Sequence, residues 1–354
     1  MKISTPGRIC LFGEHQDYLG LPVIAAAISK RVSIEGGPQE NRIIEIDLPN
    51  ISSSVSFAIE DKITYIQKRD YFRSAVNILQ RMGYTFSKGI KCEVTGNIPI
   101  NSGTSSSSAL LCTWVHFLLK SSDQNPTIST KEIAEIAYQS EVIEFNEAGG
   151  MMDQYSTAVG DIIYLESVPK IHIEFLKPSI GTFVLGDSLE PKDTQKILSW
   201  VKYEMLAIID KIKEINPEFS LHNAPADSIE SYKYLFDSQH FALLKGNISD
   251  RDILIEAKEL MQSSQFDDEG FGNLLNKHQD NLRDAKKIST PKIDRMINAA
   301  LEAGAKGAKI NGSGGGGCMF AYAPKNPEKV AEAIEKEGGK AYIITITEGS
   351  RIEN

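Results

Sequence analysis

Arg8, Glu14, His15 and Asp17 fall within ten residues of one another near the N-terminus, in the stretch PGRICLFGEHQDYLG. Four titratable side chains beside what reads as a buried strand are costly to desolvate unless they are paired or engaged by something polar. A second candidate segment is GNIPINSGTSSSSALLC, where a strand runs through a loop of glycine and hydroxyl residues straight onto a helix. That order aims unpaired backbone N–H groups and the positive end of the helix dipole at one spot, which suits an anion. Small side chains let the backbone approach phosphate oxygens, and a hydroxyl can ligate Mg²⁺. The GxxxxGK[ST] pattern is absent, lysine included. Taken alone, the loop also reads as a polar turn capping a helix.

A third segment, GAKGAKINGSGGGGCMFAYAP, has glycine at five of the six positions from Gly312 to Gly317. Each glycine loses backbone entropy on folding, so the run points to positive φ or to contact with a ligand or another loop. Its apolar, strand-like flanks speak against a flexible linker. Between the second and third segments, Glu141 and Glu144 share a helical arc with Ile133, Ala134 and Ala137. A carboxylate there must be paired or hold a cation, and periodicity does not choose between the two. Asp153 follows Gly149-Gly150, a pair that lets a small ligand approach the backbone; a turn or cap aspartate is the plainer alternative.

The elements that must carry these residues are legible in outline. Residues 3–12 and 23–34 read as strand-rich, 71–82 as a helix stopped by Gly83, and 90–98 as a strand. ALLCTWVHFLL is too long for a typical strand and reads as a buried helix. A further helix is expected over 131–147, with Ser129-Thr130 as caps. Near Pro178 to Asp187 the texture changes to a short strand, FVLGD, followed by long charged helices. A domain boundary is therefore expected around residue 180, giving units of 1–180 and 181–354. The class is α+β.

Bulk properties bound the function. At 354 residues, two domains are the prior. A formal net charge of −9 argues against nucleic acid or an anionic membrane as partner. Cys10, Cys92, Cys112 and Cys318 form no CxxC pair and read as core thiols in a reducing compartment. MKISTPGRICLF lacks the features of a signal peptide, and no apolar run is long enough to span a bilayer, so a cytoplasmic location is expected. Oligomeric state leaves no readable mark.

Together, PGRICLFGEH, PINSGTSSSSA and INGSGGGGC, in that order, resemble the three motifs of the GHMP kinases. Within that family the chain resembles galactokinases most. Asp-Tyr in GEHQDY, the GGMMDQY segment and the stretch FGNLLNKHQDNLRDAKK…GAKINGSGGGGC carry that likeness over most of the chain. The resemblance implies an N-terminal domain like domain 2 of ribosomal protein S5, a ferredoxin-like C-terminal domain and an active site in the cleft between them. It implies ATP and Mg²⁺ as cofactors, and phosphorylation of a sugar at its anomeric hydroxyl.

By the same resemblance Asp153 contacts the reacting hydroxyl, and Arg8 pairs with Asp153 and the transferring phosphate. Gly103, Thr104, Ser105, Ser106, Ser107 and Ser108 hold the nucleotide. Ser108 and Glu141 ligate magnesium; Glu141 is preferred over Glu144 because it lies twelve residues before Asp153. Glu14, His15, Asp17 and Gly150 meet the sugar, while Gly312, Ser313, Gly314 and Gly315 form the third-motif loop. Galactokinases usually carry Asn where this chain has Cys10 and Leu19, and a tyrosine and an arginine pair that DSLEPKDTQKILSW does not show. The implied acceptor is thus galactose or a related monosaccharide. A non-sugar alcohol such as mevalonate is the alternative within the family, and Asp17 speaks against it. A non-catalytic sugar or nucleotide sensor is the other alternative, and retention of Arg8, Ser108, Glu141 and Asp153 speaks against that.

Overall fold

The computed structural model describes residues 1–100, 102–191 and 194–353. Asn101 of the second motif and Lys192-Asp193 of DSLEPKDTQKILSW lie outside the described residues. The first half of the chain builds strands β1 (Lys2–Phe12), β2 (Val23–Gln39), β3 (Ile43–Leu48) and β4 (Ser53–Ala58), then helix α1 (Tyr71–Arg81) and β5 (Gly89–Gly96). Helices α2 (Ser106–Ser121), α3 (Thr130–Tyr138) and α4 (Met152–Val159) come next, with strands β6 (Ile162–Glu166) and β7 (His172–Leu176) after them. The second half contributes β8 (Phe183–Asp187), α5 (Thr194–Lys213), α6 (Ser238–Gln262), α7 (Asp268–Asp280) and α8 (Pro291–Glu302). It closes with β9 (Gly307–Ile310), β10 (Cys318–Tyr322), α9 (Pro327–Lys336), β11 (Lys340–Ile344) and β12 (Arg351–Glu353).

Two sheets organise these elements. The larger runs β12-β1-β2-β5-β3-β4, with β6 paired to β2 and β7 to β6. The smaller is antiparallel in the order β11-β8-β10-β9, which is strand order 4-1-3-2 and the ferredoxin-like arrangement. A single cut at residue 180 leaves out the tail: after β11 the chain returns to the larger sheet, and Ile352 pairs with Ile3.

The apolar run of β1 is explained by burial on both faces, as in a strand covered from two sides. Cys10 packs with Trp114, Phe117 and Leu118 of α2 in one core, whereas Ile9 and Leu11 pack with Phe271, Leu274 and Phe320 in another. The second core therefore joins the two halves of the molecule at β1. Helix α3 begins at the expected cap, with Ser129 and Glu132 forming a reciprocal capping box. It does not continue regularly to residue 147. Residues Gln139–Ile143 form a π-turn, with the Glu144 N–H donating to the Gln139 carbonyl at 2.9 Å. The extra residue in that turn shifts the phase of the helix and separates the two glutamates. Glu141 is buried, while Glu144 receives Arg81 and the Tyr65 hydroxyl at the surface. Among the described residues, no helix is long and apolar enough to cross a membrane, and Cys10, Cys92, Cys112 and Cys318 are all buried.

Candidate active site

Beyond Ser4, the edge of β1 that faces away from β2 has no strand paired to it among the described residues. Along a strand, alternate N–H groups point the same way, and this edge offers those of Arg8 and Cys10. The Arg8 N–H donates to the Thr104 carbonyl at 3.1 Å, so the strand docks the serine loop directly. The Arg8 side chain reaches across the loop to α4: its Nε lies 2.9 Å and its Nη2 2.7 Å from Asp153 Oδ1, and its Nη1 donates to the Gly103 carbonyl. Burial alone would lower the Arg8 pKa, but the adjacent Asp153 carboxylate outweighs it and the value is raised. Arg8 is a fixed cation.

A cavity of about 300 Å³ opens around this pair, and it brings together Arg8, Glu14, His15, Asp17, Gly103, Ser105–Ser108, Glu141, Gly150, Asp153, Gly312 and Ser313. Residues separated by more than 300 positions in the chain thus share one wall. At the serine end, the first intrahelical bond of α2 is Ala109 N–H to the Ser105 carbonyl, leaving the N–H groups of Ser106, Ser107 and Ser108 at the mouth of the helix. Ser105 takes a left-handed conformation and its buried Oγ has no hydrogen-bond partner among the described residues. An orphaned hydroxyl beside free helix N–H groups fits an oxyanion ligand. Thr104 departs from the expected role: it is fully buried, does not line the cavity, and spends its hydroxyl on Ser102 and Pro99.

Glu141 faces the same end. Its Oε2 accepts from Gln154 Nε2 at 2.7 Å, and the Ser108 and Ser107 hydroxyls stand near enough to favour the ionised carboxylate. All these partners are neutral, and burial pushes the carboxyl up to about 7. A buried carboxylate without a cation next to a hydroxyl is an oxygen donor set suited to Mg²⁺, which is held through one or two carboxylates plus substrate phosphates. Glu141 and Ser108 fit that ion.

At the other end, the partly buried Asp17 carboxylate accepts the Tyr18 N–H at 2.9 Å and the Met152 N–H at 3.2 Å. Desolvation, with the Asp153 charge adding to it, raises Asp17 to about 6. A Cβ at Gly150 would sit 2.0 Å from Asp17 Oδ2, so any side chain there would displace the carboxylate from the Tyr18 and Met152 N–H groups. His15 has a different part to play from the one expected. Its Nδ1 is 2.8 Å from the Tyr18 hydroxyl and its Nε2 3.1 Å from the Ser313 carbonyl. A carbonyl only accepts, so Nε2 carries the proton and Nδ1 accepts from Tyr18. Glu14 also lines the cavity, yet it is fully buried and one carboxylate oxygen takes the Lys309 ammonium.

The third-motif loop divides. Gly312 and Ser313 reach the cavity, but Gly314 and Gly315 do not; Cβ atoms there would strike Ile288 and Ile197. The glycines let two backbones meet: a Cβ at Gly312 would fall 2.7 Å from the Gly103 carbonyl, and one at Gly317 2.5 Å from that of Ser102. Several cavity residues escaped sequence reasoning, among them Tyr18, Arg69, Tyr71 and Glu147. Arg69 forms a two-point pair with Glu147, and the Tyr71 hydroxyl adds to it at 3.3 Å. Nothing in KRDYF signals that contact, which spans 78 residues.

Comparison with known proteins agrees with this geometry. Residues 70–161 match the GHMP kinases N terminal domain and residues 257–340 the GHMP kinases C terminal region. A mevalonate kinase of Pyrococcus furiosus is 30% identical over 369 aligned residues, covering 100% of this chain and 99% of that protein. The chain belongs to the GHMP kinases. As a GHMP kinase it is a transferase that uses ATP and phosphorylates an alcohol. Residues 2–38 match the galactokinase galactose-binding signature. A galactokinase of Clostridium perfringens is 29% identical, covering 96% of this GHMP kinase and 88% of that protein. The crystal structure of Lactococcus lactis galactokinase complexed with galactose superposes with a TM-score of 0.85 at 21% identity, over 99% of this chain and 94% of that one. That last likeness speaks to the fold.

Proposed function

We propose that this GHMP kinase transfers the γ-phosphoryl group of ATP to the anomeric hydroxyl of a monosaccharide, galactose or a close relative. The observation that carries the reading is the acceptor end of the cavity, where Asp17 and Asp153 stand together and Arg8 is already committed to Asp153. Carboxylates accept hydrogen bonds from the hydroxyls that a sugar presents on every edge. A carboxylate-bearing acceptor such as mevalonate meets two like charges there instead. The match of residues 2–38 to a galactose-binding signature supports the same side.

Phosphoryl transfer is governed mainly by positioning and charge neutralisation. In this reading the N–H groups of Ser106–Ser108 hold the phosphates, and Arg8 neutralises the transferring group while fixing Asp153. Mg²⁺, held by Glu141 and Ser108, supplies countercharge to the phosphates. Asp153 orients the acceptor hydroxyl and accepts its proton. The hydroxyl oxygen bonds to the γ-phosphorus as the bond to the bridging oxygen breaks, and ADP leaves with that electron pair. Glu14 and His15 line the sugar end with part of their polar capacity already engaged: Glu14 is anchored by Lys309 through one oxygen, and His15 bridges Tyr18 to the glycine loop.

ADP release from Mg-ATP against a panel of free sugars, with mevalonate and no acceptor alongside, tests the proposal. Turnover is expected with a sugar and to fall on the order of 10²–10⁴-fold in Asp153→Asn with folding intact. Turnover with mevalonate alone transfers the acceptor assignment to that alcohol, the reading that the 30% identity to a mevalonate kinase favours.

A further inference from the structure

Cys10 sits on the open edge of β1, where both of its backbone polar groups need partners that no strand supplies. Side chains from one short segment provide them. Asn311 Oδ1 accepts the Cys10 N–H at 2.9 Å, and Lys309 Nζ donates to the Cys10 carbonyl at 3.0 Å. Lys309 and Asn311 are two residues apart and both fully buried. They occupy the place of a neighbouring strand, because a side-chain amide carries the same donor and acceptor pair as a peptide group.

Asn311 does more than complete the strand edge. Its Nδ2 donates to the Gly103 carbonyl at 2.9 Å, the same oxygen that receives Arg8 Nη1. Its own N–H donates to the Cys318 carbonyl, closing the glycine loop at 2.9 Å, and the Cys318 N–H donates to the Ser102 carbonyl at 2.6 Å. A side chain of the third motif therefore bonds to both of the others. A carbonyl oxygen has two lone pairs, and at Gly103 one goes to the catalytic arginine and the other to Asn311.

We propose that Asn311 is a positioning residue that fixes the serine loop against Arg8, with its side-chain amide serving as a surrogate peptide on the edge of β1. Through the Gly103 carbonyl it sets the register between the guanidinium that grips Asp153 and the N–H groups at the start of α2. The role is independent of which alcohol is phosphorylated. Displacement of such a loop by about 1 Å can cost on the order of 10²-fold in rate.

The test is Asn311→Asp, which is nearly isosteric, keeps an acceptor for the Cys10 N–H and, when ionised, turns the donor facing the Gly103 carbonyl into a second acceptor. Binding of ADP with magnesium is measured by calorimetry without any acceptor, together with kcat, both KM values and the melting temperature. ADP affinity is expected to fall roughly 10-fold and kcat roughly 10²-fold, with the acceptor KM changing by less than about threefold. A folded Asn311→Asp protein with ADP affinity and kcat within about twofold of the parent overturns the proposal. So does a loss in kcat and both substrates that merely tracks a reduced folded fraction. If the buried carboxylate prevents folding, Asn311→Leu takes its place, since it is close in size and can neither accept from Cys10 nor donate to Gly103; parental ADP affinity in that variant overturns the proposal equally. Because ADP binding needs no acceptor, weakened ADP affinity alongside silence on every sugar counts against the sugar reading alone.

Discussion

Two buried glutamates stand on the walls of one cavity, and their surroundings are opposites. Glu14 is fully buried with its cation built in: Lys309 holds one oxygen, and behind it lies a closed set of charges. His278 stands 3.7 Å from both Glu14 Oε2 and Asp250 Oδ2, and Lys286 pairs with Asp250 at 2.7 Å. Burial, then the Lys309 and Lys286 charges, push the His278 imidazole well below its usual range, so it stays neutral and two anions balance two cations. Glu141 is buried too, but it forms no ion pair among the described residues, and its side-chain hydrogen bond comes from the neutral Gln154 amide. The lesson is a division of labour. The chain neutralises a carboxylate that holds the two halves together, and leaves uncompensated the carboxylate that meets an ion.

Replacing Glu141 by Gln gives the largest separation between the two. Losing a magnesium ligand forfeits several kcal/mol of charge stabilisation, so kcat is expected to fall on the order of 10²–10⁴-fold. The same change should stabilise the unliganded protein. An unfolded glutamate titrates near 4.5 and the folded one near 7, so the folded state binds more protons in that window. Stability therefore declines as pH rises through the window, by on the order of 3 kcal/mol, and the cost is fully present above it. Denaturant unfolding without nucleotide or metal should show Glu141→Gln gaining over the parent at about pH 8 and little near pH 4.5. An activity loss with no pH-dependent gain would break the contrast.

Glu14 should behave in the reverse manner. Lys309→Met leaves a buried carboxylate alone and is expected to destabilise by about 3–5 kcal/mol. Adding Glu14→Gln should recover most of that loss, because the remaining groups are neutral; failure of the double variant to recover would show that the ammonium serves Cys10 and Ile310 more than Glu14. The smallest effect belongs to Glu144, the glutamate that sequence periodicity could not separate from Glu141. Its partner Arg81 is largely exposed, so Arg81→Ala should cost less than about 1 kcal/mol and leave turnover unchanged.

Much of the site was legible because its residue types are dictated locally. The serine loop announces a helix N-terminus, Ser129 offers a cap, and the glycines of the third motif point to positive φ or a close approach. The apolar run of α2 is long enough to exclude a strand. The choice of Glu141 over Glu144 was not legible from periodicity, because a π-turn changes the phase of the helix in the middle of the pattern. Resemblance to galactokinases favoured Glu141. The roles of Glu14 and His15 were read too directly. Both sit in the motif and on the cavity wall, with Glu14 Oε1 engaged by Lys309 and the His15 ring nitrogens by Tyr18 and Ser313, while Glu14 Oε2 has no hydrogen-bond partner among the described residues. Lys309 and Asn311 were missed because a buried polar residue in a four-residue strand, and another just past its end, leave no periodic trace.

The sequence by itself determined the class of the protein, the order of its three motifs and the residues able to bind phosphate, metal and hydroxyl. Those properties arise from side-chain chemistry and from backbone preferences within a few residues. Tertiary structure alone decided which of those groups keep a free valence. That depends on desolvation and on which partners folding brings in: Lys309 for Glu14, 295 positions away, Ser313 for His15, 298 away, and the neutral Gln154 amide for Glu141, 13 away. A carboxylate is a strut or a ligand according to the charge that folding brings beside it.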